Sequence, residues 1–160
     1  MYRNILLAYD GSLEGRRALR EGATLALLCG AKTFLLAVVE TNVETLAVGA
    51  YVGAFDTAPY EEVLAEGVQR LKALGFEPDS RLEWGDPGQR IVAVASEINA
   101  DLVVAGHRRK GLFAQWWSGS VGTYLAKNLQ CSLLIGQREI DDKEFDRIRD
   151  AYSAVQKNQP

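Results

Sequence analysis

The sequence predicts an α/β fold of three layers, in which helices cover both faces of a doubly wound, five-stranded parallel sheet. Five predicted strands, several of them short apolar runs, alternate with four segments of helical periodicity along the chain. Parallel strands joined through helices need right-handed crossovers, and these crossovers leave helices on both faces of the sheet. Most of the runs contain few polar residues, which is typical of strands that two helical layers bury.

The first predicted helix covers residues 12–29 and lies between two apolar runs, at residues 5–9 and 33–39. Ser12 is a suitable N-cap, and Gly30 is typical of the position where a helix ends. Apolar side chains recur within the helix at the spacing that places them on one face: Leu19, Ala23 and Ala26. The rest of the chain repeats this strand–helix–strand pattern.

The alternation continues to residue 135. Its elements are a helix over residues 60–74, a strand over 79–84, a helix from Pro87, a strand over 101–105, a helix over 119–128 and a strand over 132–135. Pro87 favours a helix start because the first turn does not need its missing N–H. Residues 41–59 are too long for a minimal connection, so we interpret them as a binding loop or a partly ordered cover.

No repeat and no Pro/Gly/Ser-rich linker divides the chain. The sequence therefore predicts one domain over residues 1–137, followed by a charged helical tail over residues 138–160. The tail carries apolar residues at spacings that give one narrow stripe on a helix: Ile140, Phe145, Ile148 and Tyr152. We expect this helix to dock its stripe on a surface, and its removal to change the assembly of the protein.

Composition excludes several classes of protein. With 160 residues, of which 48% are hydrophobic, the chain is long enough to bury the core of one domain and too apolar to be disordered. A net charge of −3 provides no global basic surface for nucleic acid. No apolar stretch approaches the ~20 residues of a membrane helix, and the N-terminus lacks a signal-peptide core, so we expect a cytoplasmic protein.

The candidate site is the carboxyl edge of the sheet, because ligands of open α/β sheets bind where the strand order reverses. Asp10 follows the first strand and is the type of acceptor that contacts an amino group or a ribose. The loop after the fourth strand contains Arg108, Arg109, Lys110 and the chain's single histidine, His107. The same residues also fit two plain structural roles, a strand-to-helix turn at Asp10 and a solvated basic turn at the arginines.

The helix predicted from residue 119 begins in a segment suited to phosphate. Residues 118–123 read Ser-Gly-Ser-Val-Gly-Thr, which offers hydroxyls, accessible backbone N–H groups and the positive end of a helix dipole. Neither a G-x-G-x-x-G motif after the first strand nor a G-x-x-x-x-G-K-[ST] motif occurs, so a dinucleotide-binding Rossmann enzyme or a P-loop NTPase is not indicated. The phosphate site is therefore expected after the fourth strand.

Several short motifs, in this order and spacing, resemble the universal stress protein family of small nucleotide-binding α/β domains. They are Ile-Leu-Leu-Ala-Tyr-Asp-Gly-Ser at residues 5–12, Gly-Asp-Pro at 85–87, Ala-Asp-Leu-Val-Val-Ala-Gly at 100–106, Gly-Ser-Val at 119–121 and Cys-Ser-Leu-Leu-Ile at 131–135. The resemblance extends from residue 3 to about residue 137. Each motif alone is weak, whereas together they are specific for the family.

The resemblance implies the strand order 3-2-1-4-5 and a homodimer that pairs the last strand, Ser132 to Gly136, across the sheet edge. It also implies an adenine nucleotide as ligand, ATP in one branch of the family. Asp10 would contact the nucleoside, and Val38 would contact the adenine through its backbone. The phosphates and ribose would be surrounded by Gly106, Gly119, Ser120 and Val121, to which the basic loop adds His107 and Arg109.

One position departs from the family's phosphate pattern, which is Gly, two residues, Gly, nine residues, Gly and Ser or Thr. Gly106 and Gly119-Ser120 fit its ends, but Arg109 occupies the middle glycine position. The first hypothesis is a dimeric, adenine-nucleotide-binding regulator of the stress response with at most slow ATP hydrolysis. The alternative is a dimeric interaction module in which Arg109 closes the site and no nucleotide binds.

The sequence offers no convincing catalytic or metal site. A single histidine excludes a histidine-rich metal site, and no G-x-S-x-G nucleophile motif is present. Asp10 alone does not make a magnesium site, so the sequence leaves open whether Mg²⁺ accompanies the nucleotide. An enzyme related to ATP pyrophosphatases is disfavoured because no Ser-Gly-Gly loop follows the first strand.

Overall fold

The computed structural model describes residues 1–41, 57–106 and 120–157. The strands of this part are β1 (Asn4–Ala8), β2 (Lys32–Glu40), β3 (Asp79–Gly85), β4 (Leu102–Gly106) and β5 (Ser132–Gly136). Its helices are α1 (Leu13–Cys29), α2 (Ala58–Ala73), α3 (Pro87–Glu97), α4 (Ser120–Asn128) and α5 (Asp142–Lys157). Within these ranges no helix combines the length and the apolar character that crossing a lipid bilayer requires.

All strands of the sheet are parallel, and they lie in the order β3-β2-β1-β4-β5. β1 is the central strand: Leu6 lies opposite Phe34 of β2 on one side and Val103 of β4 on the other. The chain builds the sheet outward from β1 through β2 and β3, then returns to the other side of β1 with β4 and β5. The predicted α/β class, the parallel sheet and the strand order are confirmed.

The predicted elements agree with the structure to within two residues at their ends. The largest difference is at α2, which begins at Ala58 rather than at residue 60. Pro59 lies in the first turn of α2 and accounts for the earlier start, because its fixed φ suits that turn and its missing N–H is not needed there. Residues 42–56 of the predicted loop lie outside the described residues.

Two apolar layers, one on each face of the sheet, form the core. The first packs α1, α2 and α5 against the sheet, and its side chains include Ile5, Leu7, Tyr9, Leu19, Leu35, Leu71 and Phe145. The second packs α3 and α4 against the opposite face, and its side chains include Leu6, Leu36, Val38, Ile91, Val103, Val121 and Leu125. Consecutive residues of β1 therefore contribute to opposite layers, as the alternation of side chains along a strand requires.

Local hydrogen bonds determine where the helices begin and end. Ser12 Oγ accepts a hydrogen bond of 2.9 Å from the Gly15 N–H at the start of α1. Asp86 has the same role in α3, where its Oδ1 accepts from the Gln89 N–H at 2.9 Å. Gly30 ends α1 with a φ of 60°, a left-handed conformation that favours glycine. The cap at Ser12 and the stop at Gly30 are as the sequence predicts.

The tail helix, α5, docks on α1 of its own chain. Phe145 and Ile140 are 1% and 6% exposed and belong to the first core layer. Arg20 of α1 lies over the Phe145 ring, with its guanidinium carbon 5.4 Å from the ring centroid, and pairs with Asp142 at 2.5 Å. Exposure rises to 58% at Val155, near the other end of the helix. The anchor of the tail is therefore its N-terminal half.

Replacing Phe145 by Ala should lower the free energy of unfolding by about 3 kcal/mol, because truncating a buried phenylalanine removes its transfer energy and leaves a cavity. Chemical denaturation followed by circular dichroism measures the change. Val155→Ala, at the exposed end of the same helix, is the control and should shift the free energy by less than about 0.5 kcal/mol. Small and equal changes in the two variants would contradict the docking of α5.

Candidate functional site

The carboxyl ends of β1 and β4 meet at the point where the strand order reverses. Ala8 of β1 lies opposite Ala105 of β4, so Asp10, which follows β1, is close to Gly106, the last residue of β4. The connections leaving these two strands lead to helices on opposite faces of the sheet. Such a divergence leaves a crevice, which is where open α/β sheets bind their ligands.

The Asp10 carboxylate is held at the first turn of α1. Its Oδ1 accepts hydrogen bonds from the Ser12 backbone N–H at 3.0 Å and from the Ser12 hydroxyl at 2.6 Å. A Cβ at Gly15 would lie 2.4 Å from the same oxygen, so glycine permits this approach. The carboxylate lies at the positive end of the helix dipole, which favours its negative charge.

Gly106 allows the end of β4 to approach that same turn. A Cβ at this position would lie 2.7 Å from the carbonyl carbon and oxygen of Glu14 and 2.8 Å from the Gly15 nitrogen. These are backbone atoms, which cannot turn aside as a flexible side chain can. The backbone at the end of β4 therefore packs directly against the turn that holds Asp10.

A pocket of about 90 Å³ opens beside Asp10. Its walls come from the end of β1, from β2 and from the start of α2: Tyr9, Asp10, Ala37, Val38, Pro59, Tyr60 and Val63. Tyr9 and Val38 are each 1% exposed, so these walls are continuous with the packed core. At Gly11 an added Cβ would lie 3.0 Å from Val63 Cγ2, which shows how closely α2 approaches the turn. The pocket is mainly apolar, and Asp10 is the acidic residue among those that line it.

Two acidic residues near the end of β2, Glu40 and Asp86, are close enough for their charges to affect neighbouring groups. Burial, and then the charge of Asp86, raises the pKa of Glu40 at the end of β2. Burial, and then the charge of Glu40, raises the pKa of Tyr60, which keeps its phenol protonated and able to donate. Among the residues that the structure describes, no group of three or more His, Cys, Asp or Glu side chains is arranged to hold a metal ion.

The structure brings three of the predicted site residues together: Asp10, Val38 and Gly106. Val121 is 6% exposed, and its side chain packs in the second core layer rather than lining the pocket. Ser120 begins α4, and its side chain lies outside the described residues. The remaining predicted contacts lie outside the described residues as well: His107, Arg109 and Gly119.

Sequence reasoning missed the wall of the pocket that α2 supplies. Tyr60 and Val63 lie about fifty residues after Asp10 in the chain, and their helix was predicted without any relation to the site. Pro59 was placed at the end of residues 41–59, the segment interpreted as a binding loop or a partly ordered cover. The available signal was Pro59, a typical first-turn residue, followed by Tyr60 and Val63 at helical spacing. That spacing predicts a helix start, but its position beside Asp10 depends on the crossover between β2 and β3.

A protein-family model described as the universal stress protein family matches residues 1–136. The chain belongs to the universal stress protein family. It is 26% identical, over 149 residues, to a universal stress protein of Staphylococcus haemolyticus (strain JCSC1435), and the match covers 90% of each chain. The resemblance stated from the sequence motifs is thereby confirmed.

Solved structures of universal stress proteins have the same fold. One, in complex with cAMP, is 26% identical with a TM-score of 0.65, and the match covers 85% of this chain and 97% of the other. Another, from Archaeoglobus fulgidus in complex with dAMP, is 21% identical with a TM-score of 0.61 and covers 85% of this chain and 98% of the other. The helix α5 lies beyond the residues that the family model matches.

Alanine substitution at Gly106 tests the close approach of β4 to α1, and the same substitution at Gly15 tests the space that the Asp10 carboxylate occupies. Gly106→Ala should lower the free energy of unfolding by about 2 kcal/mol, because its Cβ meets backbone atoms of Glu14 at 2.7 Å. Gly15→Ala should cost less, because its Cβ meets the side chain of Asp10, which can rotate. Urea denaturation of both variants gives the order, and a Gly106→Ala protein as stable as the parent would contradict the packing.

Proposed function

We propose that the protein is a dimeric regulator of the stress response that binds an adenine nucleotide and turns it over slowly or not at all. The observation that carries the proposal is the pocket beside Asp10, which combines apolar walls with one carboxylate. Apolar walls suit a nucleobase, and a carboxylate accepts hydrogen bonds from ribose hydroxyls. The family member that was solved with cAMP and is 26% identical to this chain adds independent support.

The base would enter between β2 and α2. Ala37 and Val38 supply one wall of the pocket, and Tyr60 and Val63 supply the other. The Val38 side chain is committed to the second core layer, so its contribution to the base would be its backbone. A backbone N–H and C=O suit the edge of an adenine, which presents acceptor and donor groups side by side.

The phosphates would extend toward the end of β4 and the start of α4. Gly106 brings the end of β4 against the turn that holds Asp10, and the first-turn N–H groups of a helix such as α4, which begins at Ser120, lack partners within the helix. A helix N-terminus favours an anion. The contacts that the sequence predicts at His107, Arg109 and Gly119 belong to the segment between these two elements.

A binding role, rather than efficient catalysis, fits the side chains beside the pocket. The Ser12 hydroxyl donates to Asp10 and accepts from the Gly15 N–H, so it is used in capping α1. A nucleophilic hydroxyl instead needs a neighbouring base that removes its proton. Phosphate release from ATP is therefore expected to stay near background.

We propose that the homodimer forms through β5. The two edge strands of the sheet differ in charge, since β3 carries Asp79, Arg81 and Glu83, whereas β5 reads Ser-Leu-Leu-Ile-Gly. Charged side chains protect an exposed edge from pairing with another chain, and β5 lacks that protection. A second copy related by a two-fold axis would present the same edge, which gives a closed pair.

Titration calorimetry with AMP, ADP and ATP tests nucleotide binding. The parent protein should bind in the micromolar range, and Asp10→Asn should weaken binding at least about tenfold, because the ribose loses a charged acceptor. Asparagine keeps an oxygen that can accept from Ser12, so the turn is retained. Asp141→Asn is the matched control, because Asp141 caps α5 through the Glu144 N–H at 2.7 Å and does not line the pocket.

Equal affinities of the parent and Asp10→Asn would contradict the assigned site. No heat from the parent, together with binding by Arg109→Gly, would favour the second candidate function, a dimeric interaction module. The observation behind that candidate is Arg109 at the middle glycine position of the family pattern. Titrations in Mg²⁺ and in EDTA determine whether the ion contributes to the affinity for ATP.

The β5 interface is tested by Ile135→Lys, which places a charge on the proposed shared edge. Sedimentation equilibrium should give a dimer for the parent protein and a monomer for the variant, because a buried pair of like charges at the interface is unfavourable. Ser80→Lys, on the opposite edge strand β3, is the matched control and should remain dimeric. A monomeric parent, or a dimeric Ile135→Lys variant, would contradict the proposed interface.

A further inference from the structure

A cluster of charged and polar side chains lies one helical turn beyond the pocket wall that α2 supplies. Glu66 of α2 is at its centre and accepts a hydrogen bond from the Tyr9 hydroxyl. The same carboxylate forms ion pairs with Arg16 of α1 at 3.0 Å and with Arg70 of α2 at 2.5 Å. The end of β1, the helix α1 and the helix α2 therefore meet at one carboxylate.

The pocket wall and this cluster share one face of α2. Val63 lines the pocket, and Glu66 and Gly67 follow it at the spacing of neighbours on a helix surface. A Cβ at Gly67 would lie 2.8 Å from Tyr9 Cδ1 and 2.8 Å from Leu35 Cδ2. The backbone of α2 thus lies against the Tyr9 ring, while Glu66 holds the hydroxyl of that ring. The contacts of Gly67 and Glu66 with Tyr9 therefore determine the distance between α2 and β1.

The charges in the cluster favour the contact between Tyr9 and Glu66. Burial acts to raise the pKa of Glu66, but hydrogen bonds from Tyr9 and Arg70, with the charges of Arg70 and Arg16, hold it below its usual value. Burial, and then the hydrogen bond to Glu66, raises the pKa of Tyr9, so its phenol remains a donor. A hydrogen bond to an ionised acceptor in a partly buried place is stronger than one between neutral groups.

We propose that Glu66 is a positioning residue for the nucleotide site. By holding the Tyr9 hydroxyl, it fixes the distance between α2 and β1 and so the width of the pocket for the base. This inference rests on the proposed function, because it assigns a role in the same pocket. Glu66, Arg16 and Arg70 do not line the pocket, so Glu66 acts on the ligand through Tyr9 and the wall of α2.

Calorimetry with AMP and ADP on the full chain tests this role through a double-mutant cycle of Tyr9→Phe and Glu66→Gln. Each single variant should raise the Kd for AMP about tenfold, and the double variant should also raise it about tenfold rather than a hundredfold, because both remove one coupled contact. The Kd for ADP should rise by the same factor, since the wall contacts the base and not the phosphates. The fraction of binding-competent protein should stay unchanged.

Gly67→Ala moves the wall by a different route, because its Cβ pushes α2 away from Tyr9 without changing any charge. It should also raise the Kd for AMP. Glu97→Gln is the matched control: Glu97 pairs with Arg81 at 2.7 Å on the α3 side of the sheet, and its loss should leave the Kd unchanged.

The outcomes separate this inference from the proposed function. A parent protein that binds no adenine nucleotide overturns the proposed function and the inference with it. If the parent binds AMP and the Tyr9→Phe and Glu66→Gln variants bind it as tightly as the parent does, the inference alone is overturned. A double variant whose effects on Kd are fully additive also overturns the inference. A lower fraction of binding-competent protein with an unchanged Kd overturns it too, because that result is expected if Glu66 only stabilises the fold.

Discussion

The first turn of α1 packs against the last residue of β4 with no space for a side chain between them. Gly106 makes this possible, because a Cβ there would meet backbone atoms of Glu14 and Gly15. Within the same turn, the missing side chain of Gly15 leaves room for the Asp10 carboxylate. Because β1 and β4 are neighbours at the reversal of strand order, the contact fixes Asp10 at the opening of the crevice. The place of the Asp10 carboxylate at the edge of the pocket depends on this close packing.

The sequence predicts the sheet well because burial on both faces leaves a strong local signal. β1, β2 and β4 are apolar over nearly their whole length, as strands covered by two helical layers must be. β3 is different, since its alternating charges belong to an exposed edge, and its prediction depends on its place between two helices. The strand order is not a local property, and only the resemblance to a family predicted it.

The residues of the candidate site also include some that the sequence could predict and some that it could not. Asp10 and Gly106 were predictable because they lie at the carboxyl ends of strands, and the carboxyl ends of parallel strands share one edge. Tyr60 and Glu66 were not, since their roles arise from contacts with residues distant in the chain. A glutamate at helical spacing from an arginine indicates only a surface ion pair, and its link to Tyr9 appears once α2 is packed against β1.

The free energies that different contacts contribute show what holds α5 on the domain. The ion pairs between α1 and the tail, Arg17 with Glu139 and Arg20 with Asp142, involve exposed carboxylates, and such pairs contribute about 0–1 kcal/mol each. Burial of a side chain such as Phe145 contributes about 2–3 kcal/mol. Apolar burial therefore supplies most of the docking energy. The buried N-terminal half of the tail therefore contributes more to the docking of α5 than its exposed charges do.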